Sequence, residues 1–443
     1  MNKEILMSLL EEKKFKSIHD VLSKYNAVDI ANLLSELDEK DLAPVFRIIE
    51  KDKAAEVFSY MENDLQENLI NSFSDQEIIN IMEDMYTDDM VDFLEDMPAN
   101  VVKRLLKTID SETRAEINKI LKYGEDSVGS IMTTEFVDLS IDMTVKEALN
   151  TIKRVGIDSE TIYTCYVVEK RKLKGIVSAK KLLTSDYDVL VKDIMNEHFI
   201  AATTTDDREV AANLFRKYGF ISIPVIDKEG YIVGIVTFDD AIDVLTEETT
   251  EDMQKMAAMV ANDESYLKTS VFTHAKHRII WLLILMLSAS VTGAIISRYE
   301  NAFAAVPLLV SFIPMLMDTG GNCGSQSSTL IIRGLAVDEL HFGDFWKIVW
   351  KEFRVSLLVS SVLALANTLR IFFVYKNLTL AIVVGISIVF TVIVAKLVGC
   401  TLPILAKKLK MDPAIMAAPL ITTIVDTCSI IIYFKVATIL FNL

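Results

Sequence analysis

The sequence predicts a multi-domain chain: an all-α helical-repeat N-terminal domain, an α/β module of two duplicated units, a connecting helix and a five-helix α transmembrane domain. Three observations carry this. Helical periodicity with short polar loops runs to about residue 125, two stretches between 126 and 246 align with each other, and apolar runs of bilayer length follow residue 271. At 443 residues the chain is too long for one core, since domains usually hold roughly 100–200 residues.

The first segment, 1–125, repeats apolar residues at spacings of three and four, as in Ile30, Leu33, Leu34 and Leu37, with Asp, Asn or Pro in the loops. Short helices of this kind cannot each bury a face alone, so an α-solenoid with a shared single-layer core is expected. The N-terminus has no apolar stretch of signal-peptide length and its acids do not suit a transit peptide, so it is expected to remain cytosolic.

Charge divides the chain. Residues 1–270 hold 31 bases and 54 acids, whereas the remainder holds 14 bases and 8 acids. A soluble part with net charge −23 repels nucleic acid and gathers cations at its surface, so nucleic acid is not an expected partner. The four cysteines, Cys165, Cys323, Cys400 and Cys428, show neither zinc-ligand nor C-x-x-C spacing and read as small apolar fillers.

In the second segment SIMTTEFVDLSIDMTVKEALNTIKRVG aligns with DIMNEHFIAATTTDDREVAANLFRKYG, and CYVVEKRKLKGIVSAKKLL with IPVIDKEGYIVGIVTFDDAI. Each unit runs short strand, helix, buried strand, turn, strand, helix. The G-I-V-[ST] strand and the I-P-V run resemble a tandem pair of CBS domains, placed at 126–186 and 187–246. The second unit ends with Thr237 and Asp240 in T-x-x-D spacing, which lets a hydroxyl meet a phosphate and a carboxylate meet a ribose diol. The first unit lacks that acid. An adenine nucleotide such as ATP is therefore a candidate ligand at one site, in competition with a metal for Asp240.

A connecting, plug-like helix is expected over 247–271, with acids in its first turns and Met253, Met256, Ala257 and Val260 as an apolar stripe. The transmembrane domain, 272–443, should have spans near 276–298, 303–333, 355–375, 378–406 and 412–440. The bases before the first span, between the second and third, and between the fourth and fifth place the N-terminus in the cytosol and the C-terminus outside a plasma membrane.

Two spans carry chemistry. In the second, Pro307, Pro314, Gly320, Gly321 and Gly324 coincide with Asp318, Asn322 and Gln326, the pattern of a broken helix that offers oxygen ligands to an ion. In the fifth, Asp426 lies amid apolar residues shortly after Thr422 and Thr423. A carboxylate at that depth costs ~2.5–3.5 kcal/mol on the insertion scale, so it needs a function or a partner. The partner nearest in depth is Lys396. A lone Asp among hydroxyls and carbonyls suits a hard divalent cation, Mg2+ above all, and suits transition metals poorly.

PxxxxxGGNxGSQxxTxxIRGLA in the second span and PLxTTxxD in the fifth resemble the MgtE family of magnesium channels, whose domain order agrees over essentially the whole chain. The resemblance implies a homodimer with a pore between protomers and Asp426 as its ion-coordinating residue. Asp318, Asn322 and Thr422 join it as candidate pore ligands. It also implies a cytosolic Mg2+ sensor, for which the sequence offers two acidic groups. Asp88 and Asp92 lie four apart on one helix; Asp240, Asp243, Glu248, Glu251 and Asp252 follow another; Glu56 is counted with them. Like charges in facing elements repel unless cations sit between them. Where some relatives carry an Asp, this chain has Gly219, so one bridging site is expected to be missing.

No Walker A sequence, His-metal cluster or nucleophile constellation is present, so no enzyme activity is expected. Two other readings stand: a pore of broader selectivity that passes Mn2+, Co2+ or Ca2+, and a nucleotide-sensing membrane scaffold. The scaffold leaves Asp426 and the polar second span without a role.

Overall fold

The computed structural model describes residues 3–95, 97–262, 266–267, 269–299, 304–416 and 418–442. It divides into two compact units, residues 1–245 and 246–443.

In the first unit the helical segment is a solenoid with a strict period. Helices begin at Ala27, Glu39, Lys51, Asn63, Asp75, Thr87, Ala99 and Ser111, every 12 residues. Alternate helices stack: Ala27–Ser35 on Lys51–Ser59, that on Asp75–Met82, and that on Ala99–Thr108. The structural repeat is thus a pair of short helices. Its core is periodic too, since Leu34, Phe46, Phe58, Ile70, Met82 and Leu94 are all buried, one per helix. Among the described residues no helix here exceeds 10 residues, too short for stability in isolation, so stacking supplies what propensity cannot.

The duplicated α/β segment forms two three-stranded sheets. In each, the first two strands pair in parallel and the second and third antiparallel: Phe136–Ser140, Thr161–Glu169 and Lys172–Ser178, then Ala202–Thr203, Ser222–Ile226 and Ile232–Thr237. The leading segments cross over. Thr133 exchanges two backbone hydrogen bonds with Ile235 of the second copy, and Asn196 exchanges two with Ile176 of the first. Each copy thereby completes the other's sheet. Tyr166, fully buried, meets the Ser222 hydroxyl across the pair at 2.7 Å. One core runs from the helical repeats into the second copy through Val128, Met132, Phe215 and Val244, so the solenoid and this copy are packed as one body.

The helix after the last strand is continuous from Phe238 to Met256. It starts earlier than expected and ends earlier as well. Ala258 has φ +53, a left-handed turn that stops the helix, so Ala257 and Val260 of the predicted stripe lie beyond its end.

The second unit holds long helices Val271–Ser297, Ile313–Ala336, Phe345–Tyr375, Leu378–Lys408 and Ala418–Phe441, here the first to fifth spans. Among the described residues, all but the second meet the length and hydropathy of a membrane crossing. The second falls short because Asp318, Asn322, Gln326 and several Gly and Ser occupy it. The fourth span lies at the centre, against the second, third and fifth, and the first leans on the fifth.

Two expectations are corrected. The second span is not broken at its glycines: a 3-10 turn, Pro307–Phe312, precedes it and the α-helix then runs unbroken through Gly320, Gly321 and Gly324. The glycines serve close packing. A Cβ at Gly320 would stand 2.8 Å from Val425, one at Gly321 2.9 Å from Thr422, and one at Gly324 2.7 Å from Ile421. The third span begins at Phe345, about three turns before the predicted 355, so Lys347, Lys351 and Arg354 ride on the helix itself.

Candidate functional site

Two arrangements concentrate polar chemistry, one in each unit.

In the first unit, helix Thr87–Glu95 presents its N-terminus to the α/β segment. Glu135 caps it from outside. Its carboxylate accepts from the Thr87 backbone N–H at 3.4 Å, the Thr87 hydroxyl at 2.5 Å, the Thr133 hydroxyl at 2.5 Å and the Thr134 N–H at 3.1 Å. An anion suits a helix N-terminus, where the dipole and unpaired N–H groups favour it.

Beside this cap lies a group of acids that repel one another. Asp88 is buried, and its carboxyl is held well above the usual carboxylate range by burial and then by Asp240, Asp89 and Glu160. Burial, followed by Asp240 and Asp239, lifts Asp89 to about 6. Glu160 rises to about 8 through burial and the charges of Asp239, Asp240 and Asp89. Asp240 stands at about 6: burial outweighs the Thr237 hydrogen bonds that pull it down. Four carboxyls thus lie within electrostatic reach of one another with no basic residue among the causes of their shifts, an arrangement that either keeps protons or attracts cations; among the described residues no three acids stand close enough to hold one metal ion between them.

The predicted sensor residues distribute unevenly around this group. Asp88 and Asp240 are in it. Asp92, one turn beyond Asp88, is exposed; Glu56 and Asp243 are exposed as well but stand within electrostatic reach of the group, Glu56 raising Asp89 and Asp243 raising Asp240. Asp89 and Glu160 were missed by sequence reasoning: Asp89 because a four-residue spacing favoured Asp92, Glu160 because it is a single acid ahead of a strand. Glu248, Glu251 and Asp252 lie on the same helix as Asp240 but in the other unit, where Glu251 meets Lys255 at 2.5 Å and Lys255 meets Asp412 at 2.7 Å. Gly219 has φ +66 and ends helix Arg208–Tyr218 in the left-handed conformation, a cap that favours glycine there.

Thr237 and Asp240 are close, but first as a helix start. The Asp240 carboxylate accepts from the Thr237 N–H at 3.3 Å and its hydroxyl at 2.6 Å, in the manner of a capping box. The hydroxyl also approaches Asp239 at 2.5 Å.

In the second unit, the second span has two faces. Gly320, Cys323, Gly324, Ser327 and Ile331 are buried against the fourth and fifth spans. Asp318, Asn322, Gln326 and Thr329 are exposed along the other face, at helical spacing. Gly321 touches Thr422 of the fifth span, and Asp426 one turn further on is half-buried within electrostatic reach of Asp318. The Thr422 hydroxyl donates to the Pro419 carbonyl at 2.9 Å, which leaves its oxygen lone pairs for a ligand.

The stripe continues into a groove of about 1020 Å³ lined by Asn322, Gln326, Arg333, Lys351, Glu352 and Lys396 among others. Lys396 is 5 % exposed. Its partner is not Asp426: Nζ lies 3.8 Å from Glu352 and 3.2 Å from the Ser327 hydroxyl, which itself donates to Glu352 at 2.6 Å. In the sequence Glu352 gives no such signal, because its surroundings, Lys347 to Arg354, have the composition of a basic loop.

A helical-repeat domain, a duplicated α/β pair and a bundle of membrane-length helices with one polar face define a polytopic membrane protein of the transport class. Family models agree: "MgtE intracellular N domain" matches residues 25–126, "CBS domain" 128–187 and 191–247, and "Divalent cation transporter" 313–436. The chain is 40% identical over 339 residues to the magnesium transporter MgtE of Thermus thermophilus, covering 76% of this chain and 75% of that one. To the magnesium transporter MgtE of Enterococcus faecalis it is 34% identical, covering 74% and 72%. A crystal structure of the cytosolic domain of the Mg2+ channel MgtE in complex with ATP superposes with TM-score 0.52 at 35% identity, over 55% of this chain and 100% of that one. The chain belongs to the MgtE family of magnesium transporters, membrane proteins that are not enzymes.

Proposed function

We propose that the protein is a Mg2+-selective channel in the plasma membrane that passes Mg2+ down its electrochemical gradient and that cytosolic Mg2+ closes. One observation carries the pore: Asp318, Asn322, Gln326 and Thr329 are exposed on one face of a helix of bilayer length, with Asp426 beside them. Lipid cannot solvate that face, so it must meet water, an ion or a second protomer. A homodimer that apposes two such faces satisfies it and doubles the Asp426 carboxylates about the path. Mg2+ keeps several waters and takes one or two carboxylates, so Asp426 holds the ion while Thr422, Asn322 and Asp318 bond to its hydration shell. In this orientation the N-terminus is cytosolic and the C-terminus outside.

The gate follows from the acids of the first unit. Mg2+ between Asp88, Asp89, Glu160 and Asp240 removes a repulsion that otherwise drives the solenoid from the CBS pair. The bound, compact form is the closed one. Glu56, Asp92 and Asp243 supply further weak sites around it, and Glu248, Glu251 and Asp252 of the second unit supply weak sites of their own. Adenine nucleotide is a second ligand of the CBS pair, supported by the ATP complex of the relative's cytosolic domain. Asp240 would have to exchange its Thr237 bond for a ribose to take part.

The test is Mg2+ flux into proteoliposomes with competing divalent cations. Asp426→Ala and Asp426→Asn should remove Mg2+ flux, at least about 100-fold by the cost of an uncompensated ion at that depth, and leave the folded dimer. Wild-type flux from folded Asp426→Ala protein refutes the pore assignment. Equal flux of Mn2+, Co2+ or Ca2+ establishes the less selective pore instead, and no flux from the wild type favours the scaffold.

A further inference from the structure

The Lys396–Glu352–Ser327 cluster has no role in the reading above, yet it sits where an ion must pass on that reading. The groove that it walls starts at Asn322, next to Gly321, which packs on Thr422, and Thr422 precedes Asp426 by one turn of the fifth span. On the second span it runs to Gly334, about 18 Å along the axis at 1.5 Å per residue, and it reaches Glu339 and Leu340 beyond the helix end. The charged residues that line it are Arg333, Lys351 and Lys396 against Glu339 and Glu352, a net single positive charge. A carboxylate in a cation path is a natural ligand, but here the one at the deep end is occupied. Glu352 accepts from Ser327 at 2.6 Å and faces Lys396 at 3.8 Å.

We infer that Lys396 and Ser327 hold the Glu352 carboxylate off the permeating ion, so that the inner groove does not become a second divalent-cation site. The inference rests on the pore reading. Mg2+ passes such a groove as a hydrated ion, since it dehydrates reluctantly and needs few direct ligands. Ca2+ and Mn2+ shed water more readily, and a free carboxylate with nearby Asn and Gln oxygens would retain them. Lys396 is then a positioning residue for selectivity, acting through Glu352. An ion pair at this depth is also expensive to retain for packing alone, because apolar residues of like volume often serve equally well.

The experiment uses the full chain in proteoliposomes, with Mg2+ flux read while Ca2+ or Mn2+ is titrated. In Lys396→Met the concentration of Ca2+ that halves Mg2+ flux should fall about ten-fold, equivalent to about 1.4 kcal/mol of new site affinity. Adding Glu352→Gln to that variant should restore wild-type block, since the liberated carboxylate is gone. Lys396→Arg should keep wild-type block. Folded Lys396→Met protein with unchanged Ca2+ block overturns the inference, and so does a double variant that stays as sensitive as Lys396→Met. If Lys396→Met alone does not fold, Lys396→Gln with Glu352→Gln, a neutral pair, must match wild-type block; enhanced block there overturns the inference. Loss of Mg2+ flux in the wild type would instead overturn the pore reading itself.

Discussion

Raising the pH in the absence of divalent cations should pry the solenoid from the CBS pair, and Mg2+ should reverse this. Asp89 and Asp240 stand at about 6 instead of 3.8, and Glu160 at about 8 instead of 4.5. All three shifts are upward, so between the unfolded and folded values the native state holds more protons than the open one. Stability therefore falls as pH rises from about 4 to about 8, and is fully present only below about 4. A two-unit shift corresponds to about 3 kcal/mol for one group; because these partly exposed groups share their mutual repulsion, the contact loses on the order of that one amount and not the sum of three. That is a large share of the 5–15 kcal/mol that holds a typical domain, and it falls on one contact. Amide hydrogen exchange of helix Thr87–Glu95 in the full-length protein, corrected for intrinsic rates, reports it. Protection should drop by two or more orders of magnitude from about pH 5.5 to 7.5 and return with about 10 mM Mg2+, above the range of weak oxygen-ligand sites. A flat pH profile, or Mg2+ that protects as much at pH 5.5 as at 7.5, would refute the repulsion argument.

Glu135→Ala removes an anion that caps helix Thr87–Glu95 from the CBS side, and should cost about 1–2 kcal/mol of the contact, seen as faster exchange of residues 87–90 at any Mg2+ concentration. Glu135→Gln should recover less than half of this, since an amide oxygen lacks the charge. Gly399→Val should prevent folding of the membrane bundle, because a Cβ there meets the backbone of Gly324 and backbone cannot yield as a side chain can; a loss of more than about 3 kcal/mol is expected, read as absence of monodisperse protein in detergent. Gly293→Ala, where a Cβ meets nothing within 4 Å, is the control and should fold like the wild type to within about 0.5 kcal/mol.

What the sequence made legible follows how locally each feature is determined. The duplicated α/β units were readable because strand and helix signals recur with the same spacing twice, although the crossover of Thr133 and Asn196 between copies is a pairing choice that no local signal records. The solenoid's 12-residue period was present in the letters, in Leu34, Phe46, Phe58, Ile70, Met82 and Leu94, but spacings of three and four within each helix mask it. Glycines in the second span pointed to a broken helix because glycine weakens helices in water; in the bundle, neighbours at Thr422, Val425 and Ile421 need the missing side chains, and packing prevails over propensity. Charges misled in the same way. Spacing along one helix ranks Asp92 beside Asp88, whereas burial depends on which side of the helix meets another domain, and that side carries Asp89 towards Glu160 and Asp240. A carboxylate in a basic run, Glu352, reads as a loop residue until the third span is seen to begin at Phe345, which places it inside the bundle facing Lys396. That helix start follows a 3-10 turn, Phe342–Asp344, which no apolar run signals, and Trp346 and Trp350 stand exposed on the helix's outer surface, amphipathic residues of the kind found where membrane helices meet water.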